Sequence, residues 1–271
     1  MELLKYIVLA IVQGVAEVLP ISSSGHLVLA ESLLGIESND MSLEVFLHVA
    51  SLIATIVFLR KRLWQLIKGF FLFIFKKETR EKYRYDFIFC WLIVLATVPV
   101  VIVTLLVGKY VEAINQIVWL VGIFLVINGI SLLIFSKIKV NRTKDELNYK
   151  DALVIGAFQC FGILSGISRS GSCIYGASVR KIDNIRAADF AFLLLIPAIL
   201  GALVLNINDM SNMVVGSNWW IYLVCFVITG VITYFSFKLL LAVIRKHKLS
   251  YFGYYCISIG LFAFVYGVMK K

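Results

Sequence analysis

The sequence predicts an all-α polytopic membrane protein built as an inverted-topology repeat, each half one re-entrant helical hairpin plus three transmembrane helices. Three observations carry that expectation. First, of 271 residues 61% are hydrophobic and the mean hydropathy is +0.94, the composition of a chain dissolved in lipid rather than of a soluble domain. Second, two polar stretches interrupt this background, QGVAEVLPISSSGH at 13–26 and QCFGILSGISRSG at 159–171. Third, a constant offset of 146 positions lays Gln13 on Gln159, Ile21 on Ile167, Ser22 on Ser168, Ser24 on Ser170 and Gly25 on Gly171. In the middle of the match, Ser23 falls on Arg169. Broken hydrophobic segments at corresponding places in two halves are the sequence sign of a midplane site at a repeat interface.

The elements follow in order. Residues 3–35 hold two apolar runs joined by the Pro20–His26 turn. Each is shorter than the ~20 residues a span requires, so a re-entrant hairpin fits. Residues 43–59 read as a span ending in Arg60-Lys61-Arg62, and Leu63–Phe75, interrupted by Lys68, as an amphipathic helix lying at the interface. Spans are expected at 86–108 and 113–136, with a turn at Lys109–Glu112. A basic loop, Lys137–Lys150, leads to the second broken segment at 151–178. Spans at 185–206, 219–244 and 251–268 complete the chain, with a Lys-free loop, NDMSNMVVGSNWW, after the first of them. The result is one integral membrane domain, with repeat 1 over about 1–140 and repeat 2 over about 150–271. Basic loops favour the cytoplasmic side, and three spans per half make the second copy enter the membrane inverted.

The net charge of +10 resides largely in short loops between spans, where it sets topology and meets anionic lipid, so nucleic acid is not expected as a partner. The five cysteines are scattered through apolar segments without CxxC spacing, which excludes a thiolate metal centre or a disulfide framework from the reading. Met1–Val12 runs straight into the polar motif, with no small-residue cleavage site of a secretory signal.

Ionisable groups at membrane depth cost about 2.5–3.5 kcal/mol each on insertion scales, so Glu17 and His26 mark a functional site. Arg169, flanked by Ser168, Ser170, Gly171 and Ser172, has the planar fork, hydroxyls and glycine-freed amides that hold phosphate. The alternative is that Arg169 only neutralises Glu17. Gln13 and Glu17 are four apart and share a helix face. Ser22, Ser23 and Ser24 are candidate nucleophiles, although Ser22 and Ser24 equally suit helix capping. His26 is a candidate acid or base, oriented by Glu17 in one reading. Glu17 is also the candidate ligand for a hard cation, and His48 and Gln159 are candidates for a supporting layer around these groups.

QGVAEVLPISSSGHL together with SGISRSG resembles the bacitracin-resistance family of undecaprenyl-diphosphatases, over essentially the whole chain and including Leu47-His48 and the FLLLIPA run at Phe192–Ala198. The resemblance implies hydrolysis of undecaprenyl diphosphate to the monophosphate and inorganic phosphate, recycling the lipid carrier for the cell wall and conferring bacitracin resistance. It also implies an inverted repeat in a bacterial cell membrane, a site open to the outer face, activity favoured by a divalent cation such as Mg2+ or Ca2+, and membrane lipids and a possible homodimer as partners. Carried over by position, the family's glutamate falls on Glu17 with Gln13 before it, its suspected nucleophile on Ser23, its histidine on His26 and its phosphate-clamping arginine on Arg169. This chain departs from the usual pattern at Val18, Ala50-Ser51, Ser165 and Ser172-Cys173, where the family has Phe, Gly-Thr, Pro and Ala-Thr; these differences bear on rate and substrate preference. The rival reading is a polyprenyl-phosphate carrier, since inverted repeats with broken helices are also the usual build of transporters.

Overall fold

A computed structural model describes residues 2–36, 41–140, 147–205, 219–246 and 248–270. Ten α-helices order the described chain. They are α1 (Glu2–Ala16), α2 (Ser23–Leu34), α3 (Met41–Phe75), α4 (Arg80–Asn115), α5 (Val118–Phe135), α6 (Tyr149–Gln159), α7 (Arg169–Val179), α8 (Asn184–Leu205), α9 (Trp219–Arg245) and α10 (Ser250–Met269). Six of them, α3, α4, α5, α8, α9 and α10, are long and apolar enough to cross a membrane. Part of the expected loop NDMSNMVVGSNWW, 208–218, and part of the basic loop, 141–146, lie outside the described residues, and the last two residues of the former, Trp219 and Trp220, open α9.

The two pairs of short helices form, but the first turn falls at 17–22, earlier than the expected Pro20–His26, because Ser22 caps a helix that already includes Ser23–His26. α1 and α2 have 15 and 12 residues, and α6 and α7 have 11 each. At 1.5 Å per residue none exceeds about 23 Å, short of the ~30 Å hydrocarbon core. Two spans differ from expectation. α3 continues without a break through Arg60-Lys61-Arg62 to Phe75, so Leu63–Phe75 is not a separate interfacial helix. Arg and Lys are good helix formers, and Arg62 is pulled inward between Asp86 of α4 (3.8 Å) and Asp189 of α8 (3.5 Å). Likewise, Lys109–Glu112 is helical, and the turn falls later, at Gln116-Ile117. No breaker other than Gly108 stands near the expected turn, and charged residues by themselves do not end a helix.

α5 and α10 pack closest, and they run antiparallel. A Cβ placed on Gly122 would lie 2.8 Å from the Gly260 carbonyl oxygen, and one placed on Gly253 would lie 2.9 Å from that of Gly129. Only glycine allows two backbones this near, which is the small-residue packing that substitutes for hydrophobic driving force in lipid. Around this pair the halves exchange partners. α1 lies parallel to α9, with Thr229 Oγ1 donating to the Ala10 carbonyl at 3.0 Å. In the same way α6 follows α4, with the Leu147 amide donating to Tyr85 Oη at 3.2 Å and Gly156 seated against Ala96. The main core, rich in Phe190, Phe192, Phe237, Leu240 and Ile155, fills the space among α3, α4, α6, α7, α8 and α9. At its edge, Asp151 is fully buried and bound by Arg180 Nε at 2.7 Å, fixing the foot of α6 to the end of α7.

Candidate active site

The tips of the two hairpins meet. Ser22 caps α2, its Oγ accepting from the Gly25 amide at 3.3 Å, and the same oxygen accepts from the Gly166 amide of the second turn at 3.0 Å. Ser168 caps α7 in the same manner, its Oγ accepting from the Gly171 amide at 3.1 Å. In each turn the serine two residues further on touches the capping serine, Ser24 to Ser22 at 3.4 Å and Ser170 to Ser168 at 3.1 Å. The two caps are therefore alike in their hydrogen bonds though not in backbone, Ser22 having φ 71° and Ser168 φ −71°, and the position that differs, Ser23 or Arg169, is the first helical residue in both.

The contact tolerates no side chain at its centre. Gly166 has φ +109°, and a Cβ on it would come within 2.7 Å of the Phe124 Cβ; a Cβ on Gly25 would lie 2.8 Å from Gly166 Cα. Ser22 itself is held at φ 71°, an unusual conformation for a residue with a side chain. Its carbonyl accepts from His26 Nδ1 at 2.8 Å, which offsets that strain.

Glu17 stands just past the end of α1 and is buried. Its Oε2 accepts from Gln13 Nε2 at 2.7 Å and from Ser23 Oγ at 2.7 Å, and His48 Nε2 of α3 approaches it at 3.4 Å. Arg169 forms no ion pair among the described residues, and its Nη1 is buried without a hydrogen-bond partner. Arg169 lies close enough to act on Glu17 electrostatically, but Glu17 takes its short contacts from three other groups, and a guanidinium N–H is left over. A buried cationic donor without a partner, at the N-terminus of a helix, is a place for an anion.

Glu17, Ser22, Ser23, Ser24, His48, Ser168 and Arg169 line one cleft of about 1760 Å³. Its side wall is apolar, with Val100, Val101 and Leu105 of α4 and Leu195, Leu200 and Val204 of α8. Glu44, Lys109 and Lys270 also line it.

Several expected site residues stand apart from this cleft. His26 is not oriented by Glu17. Both its ring nitrogens are committed elsewhere, Nδ1 to the Ser22 carbonyl and Nε2 to Tyr255 Oη at 3.0 Å, with the two rings stacked at 5.5 Å. Ser170 Oγ turns inward to the carbonyls of Val18 (3.3 Å) and Leu19 (3.4 Å), and the Gly171 amide is used by the cap. Ser172 is buried with a hydroxyl that has no partner, and Gln159 is buried beside Cys173, whose Sγ donates to Gln159 Oε1 at 3.6 Å. These residues do not line the cleft.

Two asparagines escaped the sequence reading. Asn128 of α5 reaches both turns, donating to the Pro20 carbonyl at 3.0 Å and accepting from the Ser168 amide at 3.2 Å and Tyr175 Oη at 2.8 Å. Asn115 does the same for the approach to Arg169, donating to the Ile163 carbonyl at 3.0 Å and accepting from the Ser165 amide at 2.8 Å. The signal was present: Asn128 is the one amide in VWLVGIFLVINGISLLIF, and a polar group in such a span needs a reason.

The family described as "Bacitracin resistance protein BacA" matches residues 6–262. The chain belongs to this family. Among its relatives, undecaprenyl-diphosphatase 1 of Bacillus cereus is 36% identical over 264 residues, covering 97% of each chain. The undecaprenyl-diphosphatase of Oceanobacillus iheyensis is 35% identical over 267 residues (97% of this chain, 96% of the relative), and that of Methanosphaera stadtmanae 35% over 279 residues, covering 99% of each.

Proposed function

We propose that this BacA-family chain hydrolyses undecaprenyl diphosphate to undecaprenyl phosphate and inorganic phosphate, at the cleft where the two hairpin tips meet. The observation that carries the reading is that Arg169, whose buried Nη1 has no hydrogen-bond partner, lines the same cleft as the Ser23–Glu17 hydrogen bond. Arg169 and the start of α7 hold the terminal phosphate through charge-assisted hydrogen bonds. Ser23, or a water in its place, attacks phosphorus while Glu17, already accepting the Ser23 proton at 2.7 Å, acts as base. The apolar wall from α4 and α8 takes the prenyl chain, whose remainder extends into lipid. Recycling of the lipid carrier, and tolerance of bacitracin, follow from that reaction.

The antiparallel α5–α10 pair and the exchanged partners α1–α9 and α6–α4 support the inverted repeat. The bacterial relatives and the basic loops support a bacterial plasma membrane with the cleft facing outward. The donor set fits a cation only in part. Glu17 is the single carboxylate at the turn, its Oε2 is occupied by donors, and no trio of metal-ligating side chains occurs among the described residues. A divalent cation such as Mg2+ or Ca2+, if bound with the diphosphate, would find Glu17 as the one carboxylate at the turn to hold it. When bound, the ion neutralises phosphate charge.

The test is phosphate release from a long-chain prenyl diphosphate by the purified chain in detergent, with and without chelator. Release by the wild type supports the phosphatase. No release from a folded, monodisperse wild type refutes it and favours the carrier, which moves a polyprenyl phosphate without cleaving it.

A further inference from the structure

We propose that the Ser165 hydroxyl is a substrate contact, holding the inner phosphate of the diphosphate, the one esterified to the prenyl chain. The inference rests on the phosphatase reading above. It starts from the turn that precedes Arg169. The Ile167 amide donates to the Leu164 carbonyl at 2.9 Å, closing a four-residue turn with Ser165 and Gly166 at its corner. Gly166, at φ +109°, has the positive φ that the third position of a type II turn requires. Corner amides have no partner inside the turn, and here both find one outside it. The Ser165 amide donates to Asn115 Oδ1 at 2.8 Å, and the Gly166 amide to Ser22 Oγ at 3.0 Å.

The backbone of the turn is thus held from α4 on one side and from the first turn on the other, and the side chain is the donor left to Ser165. Only 4% of this residue is accessible, and it lines the cleft. Its hydroxyl makes no hydrogen bond among the described residues, yet it is not one of the sealed polar atoms, as Ser172 Oγ is. The small surface that Ser165 exposes therefore includes this oxygen, and it opens on the cleft. The turn itself does not ask for a serine: proline suits the second position of a type II turn by its fixed φ. A hydroxyl on a backbone already fixed costs little ordering entropy when a ligand takes it.

Place decides which phosphate it meets. Arg169 begins α7 and takes the terminal phosphate, while Val101 and Leu105 of α4 belong to the apolar wall that takes the prenyl chain. Ser165 stands four residues before Arg169 and is tied to Asn115, the last residue of α4, so it lies between the two. The inner phosphate is the part of the substrate that spans this interval. Ser165 Oγ donates to one of its non-bridging oxygens and keeps its own proton throughout. The hydrogen bond strengthens as that phosphate gains charge on leaving, so it serves the transition state more than the ground state.

The experiment compares wild type and Ser165→Ala in detergent. It reads steady-state phosphate release, binding of a methylene-bridged prenyl diphosphonate, which cannot be hydrolysed at that bridge, competitive inhibition by inorganic phosphate, and thermal unfolding. Ser165→Ala is expected to lower kcat/KM by about 10- to 10²-fold, the size of one hydrogen bond to a charged group. It should weaken diphosphonate binding by at least about threefold. Inhibition by inorganic phosphate should stay within about twofold of wild type, because that ion needs only the Arg169 end. Melting temperatures should coincide, since the amide bond to Asn115 is kept. The proposal is overturned by a Ser165→Ala enzyme with wild-type kcat/KM and diphosphonate affinity. Equal weakening of phosphate and diphosphonate overturns the placement on the inner phosphate, and a lower melting temperature beside the activity loss makes the hydroxyl structural and overturns the contact. A wild type that releases no phosphate sinks the phosphatase reading instead, while the diphosphonate measurement still reads the Ser165 contact.

Discussion

Replacing Arg169 by alanine separates activity from stability in a way few buried charges allow. A buried arginine ordinarily satisfies a partner, and its loss strands that partner in a dry interior. Here Nη1 has no hydrogen-bond partner and the guanidinium makes no ion pair among the described residues, so truncation breaks no ion pair and takes from Glu17 only a longer-range attraction. It removes instead a donor that already bears the cost of burial, about 1–3 kcal/mol for an unsatisfied polar group and more for a charged one. The apo protein should therefore melt at or slightly above the wild-type temperature. Activity should move the other way. Two charge-assisted hydrogen bonds to the terminal phosphate, at about 1.5–3 kcal/mol each, amount to roughly 3–6 kcal/mol. At about 1.36 kcal/mol per decade, this is a loss of roughly 10²–10⁴-fold in kcat/KM. Arg169→Lys should recover part of it, because lysine brings the charge without the fork. The assays are phosphate release in detergent and thermal unfolding of the same samples. Alanine and wild-type enzymes of equal activity would refute the phosphate clamp. A large drop in melting temperature alongside the activity loss would refute the claim that Arg169 is unpartnered.

Asn128→Leu keeps the approximate volume but leaves the Pro20 carbonyl and the Ser168 amide without their partner. At about 1–3 kcal/mol per stranded group, a destabilisation of at least about 2 kcal/mol is expected, read by thermal unfolding. Activity should fall as well, because the residue holds both turns. Gly122→Leu should force α5 away from α10, whose Gly260 carbonyl lies 2.8 Å from where the Cβ must go, and is expected to abolish the monodisperse species in size-exclusion chromatography. Thr229→Val removes only the bond to the Ala10 carbonyl and should cost about 0.6 kcal/mol, a small shift on the same thermal scan. Calorimetric titration of Mg2+ or Ca2+ should give weak binding to the apo protein and tighter binding once the prenyl diphosphonate is present. Equally tight binding to both forms would place the cation on the protein instead.

The parts of this fold that were legible in the sequence are those written in periodicity and length. Runs too short to cross, interrupted near Pro20 or Gly166, fit hairpins, and the long apolar runs are long enough for spans. What misled was charge. Arg60-Lys61-Arg62 and Lys109–Glu112 look like chain ends because charges usually mark the edge of a bilayer. Yet they are strong helix formers, and α3 and α4, at 35 and 36 residues, pass through both sites without a break. In the site, Glu17 stood out because its type is costly at membrane depth, Arg169 because hydroxyls and glycines flank it, and Ser23 through the resemblance to the family. Which histidine meets Glu17 was not legible. His26 is near Ser23 in sequence and points to Tyr255, while His48 is distant in sequence and reaches Glu17 only because α3 packs beside α1.

The matching turns explain why the two polar stretches are alike at some positions and unlike at one. Ser22 and Ser168 each cap the helix that follows, Gly25 and Gly171 each donate the capped amide, and Ser24 and Ser170 each touch the cap. These residues are demanded by the turn, whichever half it sits in, and their hydroxyls are largely spent on it. The first residue of each helix is not needed for the cap, so it is free to differ, and it points where the two turns meet. One copy places a serine there against Glu17, and the other places an arginine without a partner. Neither turn alone brings together the proposed nucleophile, base and anion holder. The Ser22 hydroxyl, bonded to amides of both turns, couples their positions. The site therefore depends on the second hairpin as much as on the first, and any change that separates Gly25 from Gly166 should cost activity before it costs the fold.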